Sequence, residues 1–214
     1  MDIYNLLTEI ATYAIPVIFA ITLHEAAHGY VAKHFGDTTA YMMGRVTLNP
    51  IRHIDPIGTV LVPILTVLLT PYMLGWAKPV PVNFNNLRHP KRDMLWVAAA
   101  GPLSNLVQML LWALVFKATL LAPSANNFVA SMAEAGIKVN IMFAILNLLP
   151  ILPLDGGRIL TSILPGKLSY EFSRLERYGM IILLVLLFTG ALSWMLMPLY
   201  RAMLAIVATF IGVA

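Results

Sequence analysis

The stretch 10-IATYAIPVIFAITLHEAAHGYV-31 reads as an apolar helix with three ionisable residues, His24, Glu25 and His28, set into one end. Roughly 20 apolar residues suffice to cross the hydrocarbon core of a bilayer. Ionisable groups inside such a span are costly to keep there, and where they occur they usually do chemical or transport work. Composition points to the same solvent. Hydrophobic residues make up 59% of the 214, charged residues 11%, and mean hydropathy is +0.80. A soluble domain carries about 25% charged residues, and a chain this small cannot hide so much apolar surface from water. The fold class expected is an all-α polytopic membrane protein, one unit over residues 1–214. It is a bundle of about 4–6 transmembrane helices, with a catalytic core over about residues 10–165 and C-terminal helices over about 178–214.

Working outward, Pro102 to Ala122, Val129 to Pro150 and Tyr178 to Met197 read as further spans, whereas Ala202 to Ala214 is apolar but too short to cross alone. Ile57 to Trp76 is apolar but broken by Pro63, Pro71 and Gly75. Basic residues gather between the segments: Arg45, Arg52 and His53; then Lys78, Arg88, Lys91 and Arg92; then Arg158, Lys167, Arg174 and Arg177. The positive-inside rule makes all three loops cytoplasmic. Ile57 to Trp76 is then expected to enter and leave on one side as a re-entrant segment, tolerated where it is buried in protein or lines water; a conventional span is the alternative. Thr38, Thr39, Tyr41, Val46 and Thr47 allow short membrane-associated strands within Gly36 to Asp55. The net charge of +4 is dispersed through connecting segments, which does not suit a nucleic-acid footprint. MDIYNLLTEI lacks a positive n-region, which argues against a cleaved signal peptide. There is no cysteine, so disulfides and thiolate metal sites are excluded and a metal must be held by nitrogen and oxygen.

His24-Glu25-Ala26-Ala27-His28 is a complete H-E-x-x-H motif. Four helical residues advance by about 400°, so both imidazoles share one face and can grip one ion. Glu25 lies about 100° round from His24, near enough to work on a water without ligating. A catalytic zinc takes three protein ligands, and the histidines outside the motif are poorly placed: His34 follows the first span, and His53 and His89 sit in basic loops. The best third candidate is Asp155, in Asn147-Leu-Leu-Pro-Ile-Leu-Pro-Leu-Asp155-Gly156-Gly157-Arg158. Pro150 and Pro153 should end the preceding helix, and the glycines permit tight backbone beside a metal. Asp155 could instead cap a helix beginning near Gly157, which aspartate does well.

With these residues in view, the chain resembles the site-2 protease family of intramembrane metalloproteases. The resemblance rests on His24-Glu25-x-x-His28, on Asn147 with Leu154-Asp155-Gly156, on Gly101-Pro102-Leu-Ser-Asn105, and on Gly75-Trp76-Ala77-Lys78-Pro79-Val80. It covers roughly Ile10 to Pro165 and implies one Zn2+ held by His24, His28 and Asp155, with Glu25 as general base. Asn147 matches a residue that positions substrate or stabilises an oxyanion, which an amide donor can do; an interhelical hydrogen bond is the alternative. Gly101 and Asn105 are expected to serve helix packing, and Lys138, Asn140 and Gln108 to line a water path. The implied reaction is peptide-bond hydrolysis in transmembrane protein substrates, with the active site toward the cytoplasmic side of a prokaryotic plasma membrane. No PDZ-like or CBS-like module is expected. A metal transporter or sensor, or a catalytically silent relative, would share the ligands; the transporter has no use for Glu25, and a silent relative no need to keep all four residues.

Overall fold

A computed structural model describes residues 3–61, 78–122 and 127–212. The first helix, α1 (Ile3–His34), keeps Pro16 buried in its interior, as membrane helices allow. It ends in a Schellman turn: Gly36 adopts φ 110°, Asp37 N donates to Ala32 O at 2.9 Å, and Gly36 N to Lys33 O at 3.1 Å.

Among the described residues there is no strand, so the strands expected within Gly36 to Asp55 are not formed. Their place is taken by a short helix, α2 (Thr39–Met42), and a 3-10 turn, Pro50–Arg52. The cause is local side-chain bonding, which competes with a ladder. Asp37 Oδ1 accepts from Thr39 N at 3.0 Å, and Asn49 Oδ1 accepts from Ile51 N at 3.1 Å. A wide, π-type turn follows at Pro56–Leu61, its start fixed by Asp55 accepting from Ile57 N and Gly58 N. Most of the segment expected to be re-entrant, and Gly75 to Ala77 of the loop motif, lie outside the described residues. The residues that flank it meet, since Lys78 N donates to His53 O at 2.9 Å. Residues 78–83 then run without helical structure into a 3-10 turn, Phe84–Asn86.

Helix α3 (Pro90–Leu121) begins well before the expected Pro102, because hydropathy alone misses a polar first turn. Pro90 takes the first helical position, where its missing N–H loses nothing, and buried Asp93 accepts from His89 N at 2.8 Å. Helix α4 (Asn127–Asn147) stops short of the expected Pro150, since the residue before a proline is pushed out of helical geometry. A turn over Leu148 to Leu154 leads to α5 (Asp155–Ile163), α6 (Gly166–Ser173) and α7 (Glu176–Phe188). The span expected over Tyr178 to Met197 is two helices. Gly190, at φ 75°, separates α7 from α8 (Ala191–Ile211). Pro198 lies inside α8, and residues 202–211 belong to that helix.

Among the described residues, four helices, over Leu7–His34, Pro90–Leu121, Asn127–Asn147 and Ala191–Ile211, are long and apolar enough to cross a membrane. Helix α3 packs on α1, α4 and α5, and α4 packs on α1 and α8. The core stripe follows helical spacing: Ile137, Ile141 and Ile145 of α4 meet Met109 and Ala113 of α3 and Leu196 and Val207 of α8. Large apolar residues such as Leu103, Val107, Leu111 and Leu114 of α3 stay exposed, which suits lipid and not water.

Candidate metal centre

His24 and His28 stand one turn apart on α1, and Asp155 opens α5. The chain brings them together because α3 lies between the two helices and packs on both. His24 Nε2 is 3.1 Å from His28 Nε2; Asp155 Oδ2 is 3.2 Å from the first and 3.3 Å from the second. Among the described residues, these are the ones whose ligand atoms can converge on one ion. Their side chains are 7%, 12% and 13% exposed, so the cluster is largely closed to solvent yet reachable from one side.

The outer nitrogens are committed. His28 Nδ1 lies 2.7 Å from the Val97 carbonyl, and His24 Nδ1 lies 2.7 Å from Asn105 Oδ1. With protons at those positions, both Nε2 lone pairs point at each other and at a carboxylate. Asp155 Oδ2 is itself buried and finds no hydrogen-bond donor among the described residues. Three electron-rich atoms turned toward one point are repulsive unless a cation sits among them. A tetrahedral zinc with bonds of about 2.0 Å would space its ligands by about 3.3 Å, so the observed triangle fits. The Leu154 cap position carries no side-chain bond, and Asp155 faces the histidines from the first residue of α5.

Glycine makes the approach possible. A Cβ on Gly101 would collide with Nε2 of His28 and the ring of His24, and one on Gly156 with the carbonyls of Leu148 and Leu149. Glu25 reaches residues 78–83, where its Oε2 accepts from Val80 N at 2.8 Å. That segment is held by Arg45, whose buried guanidinium donates to the carbonyls of Arg52, Lys78 and Pro79. Sequence reasoning counted Arg45 only as a loop charge, and nothing local marks it as a clamp.

Asn147 sits at the end of α4, donating from Nδ2 to Phe143 O at 3.0 Å within its own helix. Asn105, expected to serve packing, contacts the metal-type cluster directly. Asn140, expected to line water, is fully buried and bonded to Asn105, while Lys138 pairs with Glu134 on α4. Gln108 is buried beside an apolar groove that Leu23, Ala27 and Ser104 also line, and its amide finds no partner among the described residues.

Fold and site thus define a class: an integral membrane helical bundle holding a His-His-Asp cluster with an adjacent glutamate. The family model described as Peptidase family M50 matches residues 113–189. The chain is 36% identical over 207 residues to "Putative zinc metalloprotease YwhC" of Bacillus subtilis (strain 168), covering 94% of this chain and 90% of the relative. It is 29% identical over 177 residues to the Mycolicibacterium smegmatis protein named "Putative zinc metalloprotease Rip2", covering 82% of this chain and 66% of that one. The Mycobacterium tuberculosis (strain H37Rv) protein of the same name is 28% identical over 182 residues, with the same shares covered. No solved structure gives a significant match. The chain belongs to peptidase family M50, the site-2 protease family.

Proposed function

We propose that this chain is an intramembrane zinc endopeptidase that cuts peptide bonds within or near transmembrane segments of other membrane proteins. The observation that carries the reading is the convergence of His24 Nε2, His28 Nε2 and Asp155 Oδ2, with Glu25 next to His24 on the same helix. Two imidazoles and one carboxylate form a ligand set of catalytic zinc, which leaves a fourth position open. Zinc held there supplies Lewis acidity and lowers the pKa of water to about 7.

The rest is work for side chains. Glu25 takes the proton of the attacking water and returns it to the leaving amine. The backbone N–H of Val80 holds one of its oxygens, which fixes where the carboxylate sits. One N–H of Asn147 is committed to Phe143 O, and an amide nitrogen has a second to offer an oxyanion. A substrate helix hides its carbonyls in its own hydrogen bonds and must unwind locally before attack. Residues 78–83, which form no helix and reach Glu25 through Val80, are suited to receive the unwound chain by strand addition.

Charge supports a cytoplasmic site. If α1, α3 and α4 each cross, the end of α1, the start of α3 and the end of α4 share one face with the metal centre. Lys91 Nζ reaches the Leu164 carbonyl and Arg158 pairs with Glu176 at 3.0 Å, which draws α5 and the start of α7 to that face. Apart from Lys117, Lys138 and Arg201 inside the spans, every Lys and Arg of the chain lies there or in the α1–α3 connection. Such a bias marks the cytoplasmic side.

A transporter built on the same ligands has no use for Glu25, so the discriminating variant is Glu25→Gln. Purified in detergent, it should keep zinc at wild-type stoichiometry and lose cleavage of single-span substrates by on the order of 10²–10⁴-fold. Wild-type cleavage that survives a chelator, or undiminished cleavage by Glu25→Gln, would sink the reading.

A further inference from the structure

We infer that Asn105 is a positioning residue for His24, and that Asn140 gives it its direction. The inference rests on the metal reading above and explains how that site is held ready. Asn105 Oδ1 lies 2.7 Å from His24 Nδ1. Asn105 Nδ2 lies 3.2 Å from the Ala20 carbonyl and 2.9 Å from Asn140 Oδ1. Asn140 Nδ2 lies 2.9 Å from the Gly136 carbonyl. Both asparagines are 0% exposed, so no bulk water competes for these bonds.

The polarity of the chain follows from its far end. A backbone carbonyl can only accept, so Asn140 presents its Nδ2 to Gly136 and its Oδ1 to Asn105. Both N–H groups of Asn105 are then spent, one on Asn140 Oδ1 and one on Ala20 O. Its Oδ1 is left to face the imidazole. An amide oxygen has no proton to give, so the proton must sit on His24 Nδ1, and the Nε2 lone pair is turned toward His28 and Asp155. Flipping Asn105 would set its oxygen against two other acceptors at once, so the direction is locked. His28 needs no such relay because the Val97 carbonyl fixes its tautomer directly. Three helices cooperate: α4 sets the sign, α3 transmits it and α1 carries the ligand.

Groups of this kind, one bond away from the ligand, typically contribute 10–100-fold to metal affinity. The test uses the full chain in detergent with ¹⁵N-labelled histidine, zinc-loaded and after chelation. In the chelated wild type, long-range ¹H–¹⁵N spectra should report His24 with its proton on Nδ1. Asn105→Leu should give a mixture of tautomers and weaken zinc, measured by chelator competition, by about 10- to 100-fold. Asn140→Leu keeps Asn105 in place but removes one of the two acceptors that fix its direction, and should give a partial tautomer mixture with a smaller loss of affinity. An Nε2 proton on His24 in chelated wild type overturns the inference, and that measurement needs no variant to fold. Wild-type affinity and tautomer in Asn105→Leu overturn it too. A wild type that binds no zinc would overturn the metal reading instead, leaving the tautomer to decide the inference on its own.

Discussion

At position 101 the absence of a Cβ lets the backbone of α3 lie against both imidazoles. Gly101→Ala should therefore fold with its helices in place but displace His24 and His28, and zinc content measured by elemental analysis should fall below half of the wild-type value. Gly166, which has open space where a Cβ would go, is the matched control, and Gly166→Ala should bind zinc normally. His24, Glu25 and His28 were legible from five consecutive positions because a helix turns i and i+4 onto one face. Asp155 was legible as a candidate by its prolines and glycines, and resemblance, more than spacing, favoured it over a cap. Asn105 was expected to serve packing, and its link to His24 was not legible. Its bond to His24 joins residues 81 positions apart, and a buried amide has no periodicity to betray which partner it has chosen.

Among the elements, the Schellman turn at the end of α1 delivers Asp37 to a buried position where it ties the turn after residues 78–83 to the helix that carries the motif. Its carboxylate accepts from Thr39 N and Oγ1, from Asn83 N at 2.7 Å and from Asn86 Nδ2 at 3.3 Å. Burial would push this carboxyl up, but the donors outweigh it and hold it below the ordinary carboxylate range. A folded-state value below the unfolded one gives stability that is complete above the unfolded pKa of about 3.9 and is lost as pH falls through the folded value. Denaturation in detergent should show that loss below about pH 4. Asp37→Asn, whose Nδ2 must face donors, should lose about 1–3 kcal/mol at neutral pH and flatten the acid limb. An acid limb unchanged in the variant would assign it to other carboxylates. Helix existence was legible from apolar run length, but boundaries were not. The polar first turn of α3 hides from hydropathy, and the break at Gly190 is a left-handed backbone that an unbroken apolar run conceals.

For the whole molecule, the proposed sidedness rests on joining charge to fold, and neither alone is enough. Basic loops made a cytoplasmic assignment attractive, but only the packing of α1, α3 and α4 shows that those loops gather at the end that holds His24, His28 and Asp155. Lys78 N donates to His53 O, so the described residues on either side of 62–77 meet. The chain has no cysteine, so each introduced one is a unique probe. Arg88 and Lys167 are exposed beside the site end, and Tyr4 and Ala122 are exposed at the opposite end of the spans. Expressed in bacteria, Arg88→Cys and Lys167→Cys should react with a membrane-impermeant maleimide only in inverted vesicles, and Tyr4→Cys and Ala122→Cys only in spheroplasts. The reverse pattern would put the metal centre on the outer face. Labelling of Arg88→Cys and Lys167→Cys from opposite sides would break the bundle topology itself, because Lys91 of α3 reaches Leu164 beside the start of α6. The same vesicles carry a functional corollary. With the site on the cytoplasmic face, a substrate that presents its scissile segment near that face should be cut in preference to one whose unwinding residues lie at the other end of its span.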